Sequence, residues 1–179
     1  LWILIAAVIV CGAPDTTLLK PGNEAPSFSL PTLEPGKREV LSVWCGEKLS
    51  KPYVNSTPHI VIVSFWATFC KPCQKEIPIL MKFAEKHKDD KLKIFLISLD
   101  KEGKSKVKPF VEKKKFTLPV LLDPYSKAIE RYGVKALPAL FIIDSRGMIV
   151  YSSSGYDENK PFESTLEEIV SAIKEGKDI

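Results

Sequence analysis

The sequence predicts an α/β domain, a central mixed β-sheet with helices on both faces. Two nearly unbroken apolar runs carry that prediction. "HIVIVSFWA" (His59 to Ala67) and "KLKIFLISLD" (Lys91 to Asp100) are rich in β-branched and aromatic residues. That is the composition of strands buried on both faces. The third observation is the alternation around them. Segments of helical period separate the strand-like runs, and the chain closes with a hairpin and a helix. The implied order is strand–helix–strand–helix–strand–helix–strand–strand–helix.

Composition fits one such domain with extensions. The chain has 179 residues, 45% hydrophobic and 27% charged, which excludes wholesale disorder. Its net charge of +4 is too small to point to nucleic acid as a partner. Lysines are dense between Lys101 and Lys115. They read as a solvated helix face, or as a weak attraction toward anionic lipid head groups.

The first ten residues, "LWILIAAVIV", hold no charged or polar group but are too few to cross a bilayer, which needs ~20 residues. They read as the tail of a secretory h-region or of an N-terminal anchor. Cys11 follows at once and resembles a bacterial lipoprotein cleavage site, although Val10 stands where a small residue is usual. Residues 1–11 are therefore assigned as a hydrophobic signal or anchor segment, with Cys11 a candidate for lipidation. The domain beyond them is placed outside a bacterial cytoplasm, at the outer face of the membrane or in the periplasm. Residues 12–26, rich in proline, glycine and polar side chains, read as a linker, and 27–179 as the domain.

Within the domain, "SFSL" (Ser27 to Leu30) and "REVLSVW" (Arg38 to Trp44) are strand candidates joined by a turn-prone stretch, an N-terminal β-hairpin extension. A loop follows, containing the sequon Asn55-Ser56-Thr57, treated as chance because Pro58 comes next. After the first buried strand, Ile77, Leu80, Met81 and Ala84 repeat at helical spacing. Ser105 to Lys115 is the next helix, with Pro109 in or near its first turn. "LPVLLD" is a short strand, and Pro124 to Gly133 a short helix stopped by glycine. "ALFIID" and "MIVYSSS" flank the turn "SRG". Lys160 to Lys174 closes the chain as a helix, with Phe162, Leu166, Ile169, Val170 and Ile173 as its apolar stripe.

Chemistry concentrates in "SFWATFCKPCQKEIP" (Ser64 to Pro78), where Cys70 and Cys73 lie three positions apart between a buried strand and a helix. A zinc site needs four ligands, and the remaining candidates, Cys11, Cys45, His59 and His87, lack matching spacing. No metal or other cofactor is implied. A structural disulfide here closes too short a loop to stabilise much. The redox reading fits position and spacing together. At a helix N-terminus Cys70 meets free N–H groups and the positive end of the helix dipole, and Lys71 adds charge. Such a cysteine has its pKa lowered to ~3.5–7.5 and attacks as thiolate. Cys73, one turn in and less exposed, resolves the mixed disulfide. Pro72 stiffens the turn between them.

"FWATFCKPC" resembles the active-site segment of thioredoxin-fold proteins. With "PGNEAPSFSL" and "KALPALFIIDSRGMIV" the chain, from about Pro21 onward, is similar to the TlpA/ResA-like family of membrane-tethered extracytoplasmic thiol-disulfide oxidoreductases, many of which serve cytochrome c maturation. The resemblance implies a thioredoxin-like fold, with Ser105 to Gly133 as its helix–strand–helix insertion. It implies Cys70 as attacking and Cys73 as resolving cysteine, forming the redox-active disulfide. Pro138 is implied as the cis-proline that exposes the Leu137 backbone to a substrate peptide, and Glu76 as a proton relay to Cys73. Trp66, Lys71, Pro72 and Leu137 complete the implied substrate-contacting set; Trp66 and Phe69 pack around the site, although as aromatics they read equally as plain core. Ser64 stands where thioredoxins place a buried aspartate. The partners implied are a disulfide-bearing protein substrate and a membrane electron donor that restores the dithiol. Cys45 matches no family motif and reads as a buried inert thiol.

Two alternatives remain. A peroxiredoxin-like peroxidase shares "PGNEAPSFSL", but its Pro-x-x-x-Thr-x-x-Cys pattern fails, since positions 63, 67 and 70 are Val, Ala and Cys. A non-catalytic binding module with a structural disulfide is the other.

Overall fold

The computed structural model describes residues 17–50, 57–88, 90–157 and 159–177. The apolar N-terminal segment, Cys11 and Asn55 of the sequon lie outside them. Two short antiparallel strands, β1 (Ser29–Pro31) and β2 (Arg38–Val40), form a hairpin. The main sheet follows, from β3 (Ile60–Trp66), β4 (Leu92–Ser98), β5 (Val120–Leu122), β6 (Ala139–Ile143) and β7 (Ile149–Ser154). The helices are α1 (Lys71–Lys86), α2 (Lys104–Lys114), α3 (Lys127–Arg131) and α4 (Phe162–Lys174).

The sheet order is β5-β4-β3-β6-β7. β5, β4 and β3 run parallel, and β6 and β7 pair antiparallel. Every residue of β3 is buried, as expected of a central strand covered on both sides. Its alternation assigns the two faces. Ile60, Ile62 and Trp66 point into a core with Ile77, Leu80 and Phe83 of α1, Val107 of α2 and Leu166, Ile169 and Val170 of α4. Val61, Val63 and Phe65 point into the opposite core, built by Phe28 and Leu30 of the hairpin, Cys45, and Ala128 and Tyr132 from α3 and its C-cap. Each fully buried large apolar side chain contributes about 1.5–3 kcal/mol relative to exposure.

The structure refines several boundaries. The strand read over Arg38 to Trp44 stops at Val40, where a 3₁₀ turn over Leu41–Val43 buries Leu41 and Val43 instead. α2 begins at Lys104, which places Pro109 inside the helix rather than in its first turn. Residues 17–26, read as linker, run along the domain. Leu18 and Leu19 pack on the hairpin-side core, Ala25 is buried, and Glu24 bridges to Met148. Gly133 explains part of this. Its φ is +66°, and a Cβ there would sit 1.9 Å from the carbonyl oxygen of Thr17. Only glycine both ends α3 and lets the N-terminal segment cross it.

Candidate functional site

β3 delivers the chain to the site. After Trp66, the loop Ala67-Thr68-Phe69 turns into α1, whose N-cap is Cys70. The Cys70 N–H donates to Ala67 O (3.0 Å), and Cys70 Sγ accepts from the Cys73 N–H at 3.2 Å. One of the helix's four orphan donors is thus aimed at sulfur, an arrangement that favours thiolate. Pro72 lies in the first turn, where its missing N–H costs nothing. Cys70 and Cys73 form a disulfide with Cα atoms 5.3 Å apart. Cys70 retains 7% of its surface and Cys73 none, while Lys71 and Pro72 are exposed.

Glu76 follows Cys73 by three residues, on the same side of α1, and is itself buried. It sits on the face of the sheet that β3's alternation gives to Ser64. The Ser64 hydroxyl donates to Glu76 Oε1 at 2.9 Å. Burial pushes the Glu76 carboxyl up to about 7, with the Ser64 hydrogen bond opposing. A cavity of about 260 Å³, lined also by Tyr151, Tyr156, Phe162 and Thr165, adjoins Glu76.

Leu137–Pro138 is a cis peptide. Pro138 is buried and enters β6 beside the end of β3, since Ala139 pairs with Phe65. Its carbonyl accepts from the Gly155 N–H at 2.7 Å. The backbone groups of Leu137 have no hydrogen-bond partner among the described residues.

For Trp66, offered as a substrate contact or as plain core, the structure decides for core. Trp66 is fully buried, with Phe110 tilted against it and Phe116 edge-on to it at centroid distances of 5.8 and 5.4 Å. Its parity in β3 turns it into the core beneath the dithiol, where no partner reaches it. The exposed aromatic is Phe69, with 70% of its surface open. A second residue escaped notice altogether. Asp100, at the end of β4, accepts from the Thr68 N–H (2.8 Å), the Thr68 hydroxyl (2.6 Å) and the Ser98 hydroxyl (3.0 Å). Lys106 pairs with it at 3.1 Å. Burial alone would raise the Asp100 pKa, but the bonds from Thr68, Lys106 and Ser98 outweigh it and hold the carboxyl below the usual range. Asp100 therefore fixes the loop two residues before Cys70. The signal available was a polar residue ending an otherwise apolar strand.

Cys45 is 3% exposed in the opposite core, and burial, with Asp144 nearby, pushes its thiol up to about 12. Among the described residues no cluster of His, Cys, Asp and Glu has metal-binding geometry. No helix among them is long and apolar enough to cross a membrane.

A family model described as AhpC/TSA matches residues 21–152. The thiol-disulfide oxidoreductase ResA of Bacillus thuringiensis subsp. konkukian is 31% identical over 176 residues, 93% of this chain and 94% of that protein. A thioredoxin-like protein, YneN, of Bacillus subtilis is 32% identical over 83% of this chain and 80% of its own length. Among solved structures, the thioredoxin domain of a thiol-disulfide oxidoreductase from Bacteroides vulgatus superposes with a TM-score of 0.68 at 25% identity, covering 85% of this chain and 99% of that one. StoA of Bacillus subtilis shares the fold, with a TM-score of 0.62 at 23% identity over 82% of this chain and 97% of its own.

Proposed function

We infer the mechanism from a plain premise: the chain belongs to the AhpC/TSA family and is a thiol-disulfide oxidoreductase of the ResA type. The proposed direction is reduction of disulfides in partner proteins. The observation that carries it is the Cys70–Cys73 disulfide at the start of α1, one turn from buried Glu76.

In the reduced protein, the Cys70 thiolate attacks one sulfur of the partner disulfide. A Cys70–partner bond forms, and the first partner thiolate leaves. Cys73 then loses its proton to the Glu76 carboxylate and attacks Cys70 Sγ. The intramolecular disulfide forms, the second partner thiolate leaves, and two electrons have passed to the partner. A carboxyl with a pKa of about 7 suits this task near neutral pH, because it accepts and returns a proton with little driving force either way. Lys71, Pro72 and the unpaired Leu137 backbone beside Pro138 form the docking edge for the partner strand.

A membrane electron donor restores the dithiol, and residues 1–11 tether the domain at the outer face of a bacterial membrane, through an anchor or through lipid on Cys11. The apolar run before Cys11 supports the tether, and the TlpA/ResA resemblance supports apocytochrome c as a partner. The peroxidase alternative lacks its proline and threonine, since Val63 and Ala67 are buried apolar residues at those positions.

The test is turnover of the purified protein on insulin disulfide with a dithiol donor, alongside peroxide consumption. Insulin reduction without peroxide consumption is the expected result. Peroxide consumption alone would make it a peroxidase, and neither activity would leave a binding module.

A further inference from the structure

We propose that the dithiol face is built to dock partners whose disulfide is flanked by acidic residues, gripped by a lysine rim on the α2 side around the exposed ring of Phe69. The proposal rests on the oxidoreductase reading and adds a substrate class to it.

Charge on this molecule is unevenly placed. Between Lys101 and Lys115 there are seven lysines and two glutamates, a net +5. The whole chain is only +4, so everything else sums to −1. The structure sets this segment against the active site. Leu99 N–H donates to Trp66 O, and Asp100 holds both the N–H and the hydroxyl of Thr68. The turn carrying Lys101 and the start of α2 at Lys104 therefore flank the loop that leads into Cys70. Farther along α2, Phe110 closes over Trp66 beneath the disulfide.

Lys106 joins the charge to the aromatic. Its ammonium is 3.1 Å from Asp100 and 3.2 Å from Glu102, and 5.9 Å from the Phe69 ring centroid. Asp100 and Glu102 share the single Lys106 ammonium, so this cluster keeps one negative charge. Lys71, Lys101 and Lys104 have no ion-pair partner among the described residues, and Lys71 and Lys101 are exposed. The result is an apolar ring, 70% open, next to Cys70 and bordered by three lysines that outnumber the one excess carboxylate charge. An aromatic anchor with a charged rim is the layout of a protein-binding surface, with the ring supplying affinity and the charges supplying orientation and on-rate.

The chemistry favours a polypeptide over a lipid surface. A helix that lies in a membrane interface needs an apolar face free to enter it. The apolar side chains of α2 point inward: Val107 is fully buried, and Phe110 and Val111 pack on the core. What remains outside is charge, and Lys101 and Lys104 carry it at the end of α2 that faces the loop into Cys70, while Lys113, Lys114 and Lys115 lie at the other end.

The experiment uses the reduced full chain and two synthetic peptides with one intramolecular disulfide each, alike except for flanking glutamates or flanking lysines. Rapid-mixing rates are read at low and high salt. The acidic peptide is expected to react about ten-fold faster near 20 mM salt, because steering of this kind is worth about 10–10³ in rate. The ratio should fall below about two near 500 mM, where the Debye length is only a few ångströms. The double change Lys101→Glu, Lys104→Glu should bring the ratio below one. The equally charged change Lys113→Glu, Lys115→Glu, at the far end of α2, should keep the preference.

Equal rates on both peptides, a ratio that survives high salt, or identical loss from both double variants would each overturn the proposal. So would equal peptide rates combined with vesicle binding, to phosphatidylglycerol, that the first double variant abolishes; the rim would then serve a membrane. Failure to reduce either peptide would remove the oxidoreductase reading, and this surface with it.

Discussion

Two cores lie back to back across the sheet, and each buries cysteine. On the hairpin side, Cys45 is 3% exposed among Phe28, Tyr132 and Phe141, and its thiol is pushed up to about 12. On the α1 side, Cys73 is fully buried and Cys70 nearly so, yet they meet a helix N-terminus, a backbone N–H aimed at sulfur, and a buried carboxyl one turn away. Burial is nearly the same in the two places. The difference teaches that burial alone silences a thiol, by penalising its charged form, and that reactivity comes from dipoles and proton acceptors brought to it.

The comparison breaks most sharply at the sulfur itself. Cys70→Ser should lower disulfide reduction by at least about 10³-fold, the scale of losing a nucleophile. Cys45→Ala should change turnover by less than about two-fold, at a stability cost of roughly 1 kcal/mol. Alkylation sharpens the same contrast. With a pKa of about 12, Cys45 is about one part in ten thousand thiolate at pH 8, so iodoacetamide should label reduced Cys70 long before Cys45. Rapid labelling of Cys45 in folded protein would remove the distinction between the two cores.

Next in size is the loop that presents Cys70. Asp100→Ala leaves the Thr68 N–H and hydroxyl without their acceptor, while Lys106 keeps Glu102, and should cost about 1–3 kcal/mol in urea unfolding. The pH dependence has a definite sign. The folded-state pKa of Asp100 lies below its unfolded value of ~3.9. Its stabilisation is therefore fully present above that value and is lost as pH falls through the folded one. Acid unfolding of the wild type should show this loss, and the variant should lack it.

Glu76 runs the other way. Its folded pKa of about 7 lies above the unfolded value of ~4.3, so ionisation is easier in the unfolded chain. The oxidised protein should lose stability as pH rises from about 4.3 to about 7, by up to about 4 kcal/mol. Glu76→Gln should flatten that slope and also change the pH profile of thiol reactivity and slow partner reduction. Coincident pH–rate curves for the two proteins would leave Glu76 as a buried bystander. The smallest effect expected is that of Ser64→Ala. Removing the hydroxyl takes away a bond that opposes the upward shift of Glu76. It should move the Glu76 titration further up, worth about 1 kcal/mol, visible by carboxyl infrared difference spectra.

Much of the fold was legible because its signals are local. β3 and β4 announced themselves as continuous apolar runs, α1 and α4 by period, and the β6–β7 hairpin by its turn. The Cys70-Lys71-Pro72-Cys73 segment was readable for the same reason, since strand, turn and helix start follow one another in fifteen residues. Trp66 and Phe69 were the weak point. Both are aromatic and close to Cys70, and composition does not separate them. Strand parity does: Trp66 shares the inward face of Ile60 and Ile62, whereas Phe69 lies past the strand's end and is free to point out. The same parity places Ser64 opposite α1, a signal that was present and unused.

The sequence by itself determined the strand and helix order, the redox pair and its seat at a helix N-terminus, and the apolar residues that fill both cores. These follow from period, spacing and composition over about fifteen residues at most. Only the tertiary structure decided that Asp100 grips Thr68 from 32 residues away, that Thr17 crosses Gly133, and that a lysine-rich helix lies beside the disulfide. Those depend on which elements the sheet order brings together. A hydrogen bond or an ion pair reaches only ~3–4 Å, so its existence is settled by packing and not by the residues alone.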